Sequence, residues 1–225
     1  MKKTLFLAAL LVPAIGLASS PSGGGGGMSL PQQRRDALTP EQEAVSLYKD
    51  GTDYQEKAAK FEKEAATEAD AGKKAKLEGK AKDKHEDAVK KFVKATEKNP
   101  NLFQAWGSLG YSYRKIGNYP ASLEAYNKSL AIQPNYTPAM EYRAEALLAL
   151  NQIDEVKTVY MSLFQMDRPR ANELTAAIDK WLEKRKADPA GLDPARLDEF
   201  AKWAEQRKQL ASQVSSYSSP EKPRW

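Results

Sequence analysis

Apolar side chains recur along residues 103–134 at the spacing of helices, not of strands. Trp106, Leu109, Gly110 and Tyr113 fall at i, i+3, i+4 and i+7, which is one face of a helix that should end near Gly117-Asn118. Tyr119, Leu123, Tyr126 and Leu130 make the same kind of stripe on a second helix, closed by Pro134. Two short helices joined by a two-residue turn must lie antiparallel, and Gly110 lets the second approach the first closely. One such pair cannot bury both of its faces, so the pattern calls for further copies.

The copies are present on both sides. Pro100 and Pro134 are 34 residues apart, a period belonging to helix-turn-helix repeats. Downstream, Met140, Ala144, Leu147, Asn151, Val156 and Tyr160 repeat the pattern from Thr137 to about Arg168, with Asn151 at the turn because Asn tolerates the left-handed conformation. Upstream, Ala88, Phe92, Ala95 and Pro100 reproduce the second helix, but the matching first-helix residues Leu47, Gly51 and Tyr54 lie far away. Tyr113 precedes Ser122 by 9 positions, whereas Tyr54 precedes Ala88 by 34, so 25 residues have been added. The Gly110–Tyr126 pair straddles its turn symmetrically. The same symmetry applied to Gly51 and Phe92 places a turn between Ala71 and Gly72, with Gly72 as a helix stop. Each arm is then longer by about 12 residues, or about 18 Å at 1.5 Å per residue. Residues 62–87 hold 15 charged side chains, six Ala and only Leu77 among large apolar residues. Ala58, Ala65 and Ala69 can face Ala81 and Ala88 across a narrow seam, with His85 on the surface, and Gly79 weakens its helix by about 1 kcal/mol.

Residues 103–136 resemble a tetratricopeptide repeat at Trp106, Leu109, Gly110, Tyr113, Gly117, Tyr119, Tyr126 and Pro134, and depart from it at Ser122 and Ser129, where that family usually has Ala. The resemblance implies an all-α fold: a short superhelix of about three helix-turn-helix repeats (about 44–102, 103–136 and 137–168), the first with a lengthened hairpin. The wider domain runs over 39–168. It further implies a non-catalytic scaffold that binds a protein or peptide in the groove lined by its first helices. Carried over by position, that groove presents Tyr48, Thr52 and Gln55, then Gln104, Gly107, Ser108, Tyr111, Arg114 and Lys115, then Glu141, Tyr142 and Glu145. The Lys/Asn/Arg clamp by which some members hold a terminal carboxylate is not reproduced, since Gly107, Tyr111 and Tyr142 occupy its positions.

The flanks add a setting. Lys2 and Lys3, the apolar run Leu5–Leu17 and the small residues Gly16 and Ala18 follow the order of a cleaved export signal over 1–18. The run is too short, and is interrupted by Pro13, for a membrane span. No Cys is present, which excludes disulfides, thiolate metal sites and a lipid-acceptor Cys. Five consecutive glycines, Gly23 to Gly27, make 19–38 a flexible tether, and Thr39 with Pro40 starts the first helix. Signal, glycine run and repeats together resemble small exported proteins of Gram-negative bacteria, so the expected location is periplasmic or secreted. Without residues 1–18 the chain has 33 basic and 30 acidic side chains, too even a balance for a nucleic-acid partner. Leu174, Ile178, Trp181 and Leu182, then Leu197, Phe200, Ala201 and Trp203 after Asp193-Pro194, form helices over 169–214 that cap the end of the stack. A Ser- and Pro-rich disordered tail follows over 215–225. There is no phosphate loop, nucleophile elbow or metal-ligand cluster, and no cofactor or enzymatic activity is expected. Two readings remain: a groove that binds a segment of another envelope protein, and a structural protein that self-assembles through its hairpin or C-terminal helices.

Overall fold

The structure, a computed structural model, describes residues 38–217, with side chains through residue 213. Among them are eight helices and no strand: α1 (Pro40–Thr67), α2 (Ala71–Lys98), α3 (Phe103–Lys115), α4 (Tyr119–Ile132), α5 (Thr137–Ala149), α6 (Ile153–Met166), α7 (Arg168–Ala187) and α8 (Pro194–Tyr217). Consecutive helices pair, α1 with α2, α3 with α4 and α5 with α6, while α3 also packs on α2 and α5, and α7 on both α5 and α6. No helix among the described residues is long and apolar enough to cross a membrane.

The small-residue positions are where the pairs close. A Cβ on Gly110 would lie 2.7 Å from the Tyr126 ring, and one on Gly51 would lie 2.5 Å from the Phe92 ring. Both rings are fully buried, so each aromatic of the second helix rests directly on the glycine backbone of the first. The turns follow the same economy. Gly117 and Asn151 both adopt left-handed backbone (φ 85° and 61°), and Asn118 caps α4 by accepting a hydrogen bond from the Ala121 amide. Ser122 and Ser129 do more than stay small. Their hydroxyls donate to the carbonyls of Gly110 (2.8 Å) and Phe103 (2.9 Å), tying α4 to α3.

The first pair is the lengthened hairpin, with 28 residues in each arm against 13 and 14 in α3 and α4. Its turn, however, is Glu68–Asp70 and not Ala71–Gly72. The Asp70 carboxylate accepts from the Lys73 amide at 2.8 Å and caps α2 at Ala71, so Gly72 sits inside the first turn of a helix instead of stopping one. The symmetry argument assumed equal arms, and the extension is about three residues longer on α2 than on α1. Ala58, Ala65, Ala81 and Ala88 are buried along the seam as expected, while Ala69 lies exposed in the turn.

Two hydrophobic clusters result. One is built on α1–α4 around Phe92, Leu102 and Leu109. The other is built on α5–α8 around Leu147, Tyr160, Leu163, Leu174, Ile178 and Phe200. The C-terminal tryptophans belong to the second: Trp181 meets Phe200 edge-on, and Trp203 stacks on Phe200 and meets Tyr160 edge-on. Trp106, expected in the core, is only partly buried. It packs at the margin of the first cluster and donates its indole N–H to the Pro100 carbonyl at 2.8 Å. Helix α8 continues to Tyr217, taking in the first three residues of the expected tail. The expected signal, the tether up to residue 37 and the rest of the tail lie outside the described residues.

Candidate functional site

The first helix of each pair carries a polar and aromatic row. On α1 Tyr48, Thr52 and Gln55 fall at i, i+4 and i+7. On α3 Gln104, Gly107, Ser108, Tyr111, Arg114 and Lys115 do likewise, and on α5 Glu141, Tyr142 and Glu145. Helical spacing puts each set on one face, and the adjacency of α1, α3, α5 and α7 brings the sets together.

Their contacts form a connected chain. The Arg114 guanidinium lies 5.2 Å from the Tyr111 ring centroid and 5.1 Å from that of Tyr142, and its Nη1 donates to Glu145 Oε2 at 2.5 Å. The two tyrosine rings themselves meet edge-on at 5.2 Å. Toward α7, Arg170 pairs with Glu141 and lies 5.9 Å from the Tyr142 ring. Toward the hairpin, Lys115 pairs with Glu62 at 2.7 Å, and Glu62 also meets His85 Nε2 at 3.0 Å. The His85 ring in turn contacts Tyr111 edge-on at 5.8 Å. Across α1 and α3, Gln55 Nε2 donates to the Ser108 carbonyl (3.0 Å) and to Ser112 Oγ (2.9 Å).

Burial shapes the electrostatics. Burial opposes ionisation of Glu62, but hydrogen bonds from His85 and Lys115 outweigh it and hold the carboxyl down at about 2. Burial pushes Glu141 up to about 7 against the pull of Arg170. The phenol of Tyr111 is raised chiefly by burial, and that of Tyr136 to about 12 for the same reason. Tyr48, Tyr111 and Tyr142 of the row, and Tyr136 in the connection before α5, are therefore neutral hydroxyl-bearing rings across the physiological range.

Not every expected groove residue is open. Tyr48, Gln55, Gly107 and Glu141 are buried and form floor instead of lining. Tyr48 packs on Phe92, Gln55 is consumed by Ser108 and Ser112, and the Tyr136 ring comes within 3.0 Å of the space above Gly107. Thr52, Gln104, Ser108, Tyr111, Arg114, Lys115, Tyr142 and Glu145 keep partial exposure. His85, expected on the surface, is only 2% exposed. Ala81, His85 and Ala88 fall at i, i+4 and i+7, the stripe that faces α1, and that spacing could have placed it. Glu62 could have been found too, since it lies two turns beyond Gln55 on the same stripe. Tyr136, in a connection, belongs to no periodic stripe, while Arg170 lies one turn before Leu174 on the buried stripe of α7. No group of three His, Asp or Glu side chains among the described residues could hold a metal.

Comparison with known proteins identifies a family for part of the chain. The sequence model of the Tetratricopeptide repeat family matches residues 103–136. Hsp70-Hsp90 organizing protein 3 of Arabidopsis thaliana is 25% identical over 117 residues, covering 52% of this chain and 21% of that protein. Hsp70-Hsp90 organizing protein 2 of the same plant is 23% identical over 117 residues, covering 52% and 20%. The chain thus spans about a fifth of the length of these curated relatives. Among solved structures, the first TPR of Spaghetti (RPAP3) bound to the HSP90 peptide SRMEEVD is similar with a TM-score of 0.48 and 18% identity, covering 63% of this chain and 95% of that one. The first TPR domain of human RPAP3 is similar at 0.48 and 17%, covering 66% and 98%. With the family match falling on α3, its turn and α4, residues 103–136 of this all-α chain are a tetratricopeptide repeat.

Proposed function

We propose that this protein is a binding scaffold that holds an extended segment of another protein along the shared face of α1, α3, α5 and α7. The observation that carries this is the continuity of the row: Thr52, Ser108, Tyr111, Lys115, Arg114, Tyr142 and Glu145 come from three helix pairs, stay partly exposed, and are braced from beneath by Gln55, Glu141 and Arg170. A surface assembled from several rigid helices and stiffened by buried pairs loses little freedom on binding, which favours affinity. Self-assembly through α7 and α8 has less to support it, because Trp181 and Trp203 are spent on the internal cluster. The order of charged, apolar and small residues over 1–18 supports export before the protein acts, and this reading places it in the bacterial envelope. A photo-crosslinking residue at Ser108, compared with one at exposed Lys128 on α4, tests the binding face in the native host. Adducts specific to position 108 support the reading, and equal adducts at both positions oppose it.

A further inference from the structure

Three cations approach the binding face, and each already has a carboxylate of this chain. Lys115 is paired with Glu62, Arg114 with Glu145 and Arg170 with Glu141. The pairs are held in place. Arg114 and Glu145 have side chains 15% and 17% exposed, and the guanidinium is flanked by the rings of Tyr111 and Tyr142. Arg170 and Glu141 are almost wholly enclosed. An incoming carboxylate would have to displace Glu145 or Glu141 and leave a buried charge without its partner, which is strongly unfavourable for enclosed pairs. What else stays partly exposed on the face is different: the neutral rings of Tyr111, Tyr142 and Tyr136, with the side chains of Thr52, Ser108 and Gln104 beside them.

We infer that the segment bound by this face is an uncharged, proline-containing stretch in extended conformation, and that Glu145 and Glu141 act as built-in occupants that exclude acidic segments. The inference rests on the groove reading above. Proline rings pack on aromatic faces, and a polyproline helix is already ordered, so it needs no charge to bind. The charge pairing fits such a ligand: each cation of the face already meets a carboxyl group of this chain, which leaves little field to reward an acidic or basic segment.

The test is isothermal titration of the full chain with two peptides, a capped deca-proline and the acidic heptapeptide SRMEEVD. Wild type should bind deca-proline at least tenfold more tightly than SRMEEVD, with little dependence on NaCl. Glu145→Gln, which frees Arg114 while keeping shape, should tighten SRMEEVD at least fivefold in a salt-sensitive way. The double variant Thr52→Arg/Gln104→Arg, which obstructs the face from solvent-accessible positions, should abolish deca-proline binding. If SRMEEVD binds wild type as tightly as deca-proline and Glu145→Gln changes nothing, the neutral-segment inference is overturned and the groove reading stands. If neither peptide binds, or the obstructing variant binds deca-proline normally, the groove reading falls with it.

Discussion

Replacing Gly110 by Ala is the sharpest probe of how the helix pairs close. A Cβ there would lie 2.7, 2.8 and 2.9 Å from Cδ1, Cε1 and Cγ of Tyr126, when carbon atoms prefer about 3.5–4.0 Å. The ring would have to retreat by nearly 1 Å. It is fully buried, and the Ser122 hydroxyl bonded to the Gly110 carbonyl holds the two helices at their present separation. Overpacking of this kind costs about 1–3 kcal/mol, and the upper end applies because neither helix can yield alone. Against this, Ala is about 1 kcal/mol better than Gly inside a helix. The net expectation is a loss of about 2 kcal/mol, a fall of roughly 4–8 °C in Tm for a chain of this size. Gly79 supplies the control, because nothing lies within 4 Å of its would-be Cβ. Gly79→Ala should gain about 1 kcal/mol from helix propensity alone. Urea unfolding followed by circular dichroism measures both, with the slope of the transition unchanged. If Gly110→Ala were as stable as wild type, or more so, the direct seating of Tyr126 on the α3 backbone would be refuted.

Trp106→Phe should cost about 1 kcal/mol, the worth of the indole bond to Pro100, and Trp106→Ala well under the value for a sealed core aromatic; urea midpoints decide. Glu62 is held below its ordinary value, so it stabilises the fold above about pH 4.5 and that contribution disappears as pH falls toward about 2. Glu62→Gln should therefore flatten the acid limb of a plot of stability against pH, and an unchanged limb would count against the His85–Glu62–Lys115 cluster. Removing residues 64–82 and rejoining the arms by a short turn keeps Glu62, His85 and the Gly51–Phe92 contact, so far-UV helicity should drop with the residues removed while cooperative unfolding persists. Arg170→Met should cost about 3–5 kcal/mol by stranding Glu141, whereas pairing it with Glu141→Leu should restore most of the loss; a double-mutant cycle reads the coupling.

Much of the architecture is legible in the sequence because it is set by spacing. Gly51 with Phe92 and Gly110 with Tyr126 recur at the distance that helical pairing requires, and Asn151 and Gly117 mark turns that need left-handed backbone. What escaped the sequence depends on three-dimensional neighbours. The hairpin turn moved to Glu68–Asp70 because a cap at Asp70 outweighed symmetry of the arms. His85 looked like surface because its neighbours in sequence are charged, yet its neighbours along the helix face are Ala81 and Ala88. Arg170 could not be assigned to the face, since its partner Glu141 lies 29 residues away with no repeat linking them. Gln55 and Gly107 were expected to be open, and only packing reveals that Ser108, Ser112 and Tyr136 had already taken them.

Binding along the shared face of α1, α3, α5 and α7 is tested most directly by selecting peptides from a random library on the whole protein and measuring the enriched peptides against two surface variants. Thr52→Arg/Gln104→Arg alters the face itself, while Lys128→Glu alters the exposed side of α4. Both should keep the wild-type urea midpoint, because none of the three side chains is buried. The prediction is that the first variant weakens the selected peptides at least tenfold and the second leaves them within twofold. Peptides that bind the first variant normally and lose affinity on Lys128→Glu would contradict the account.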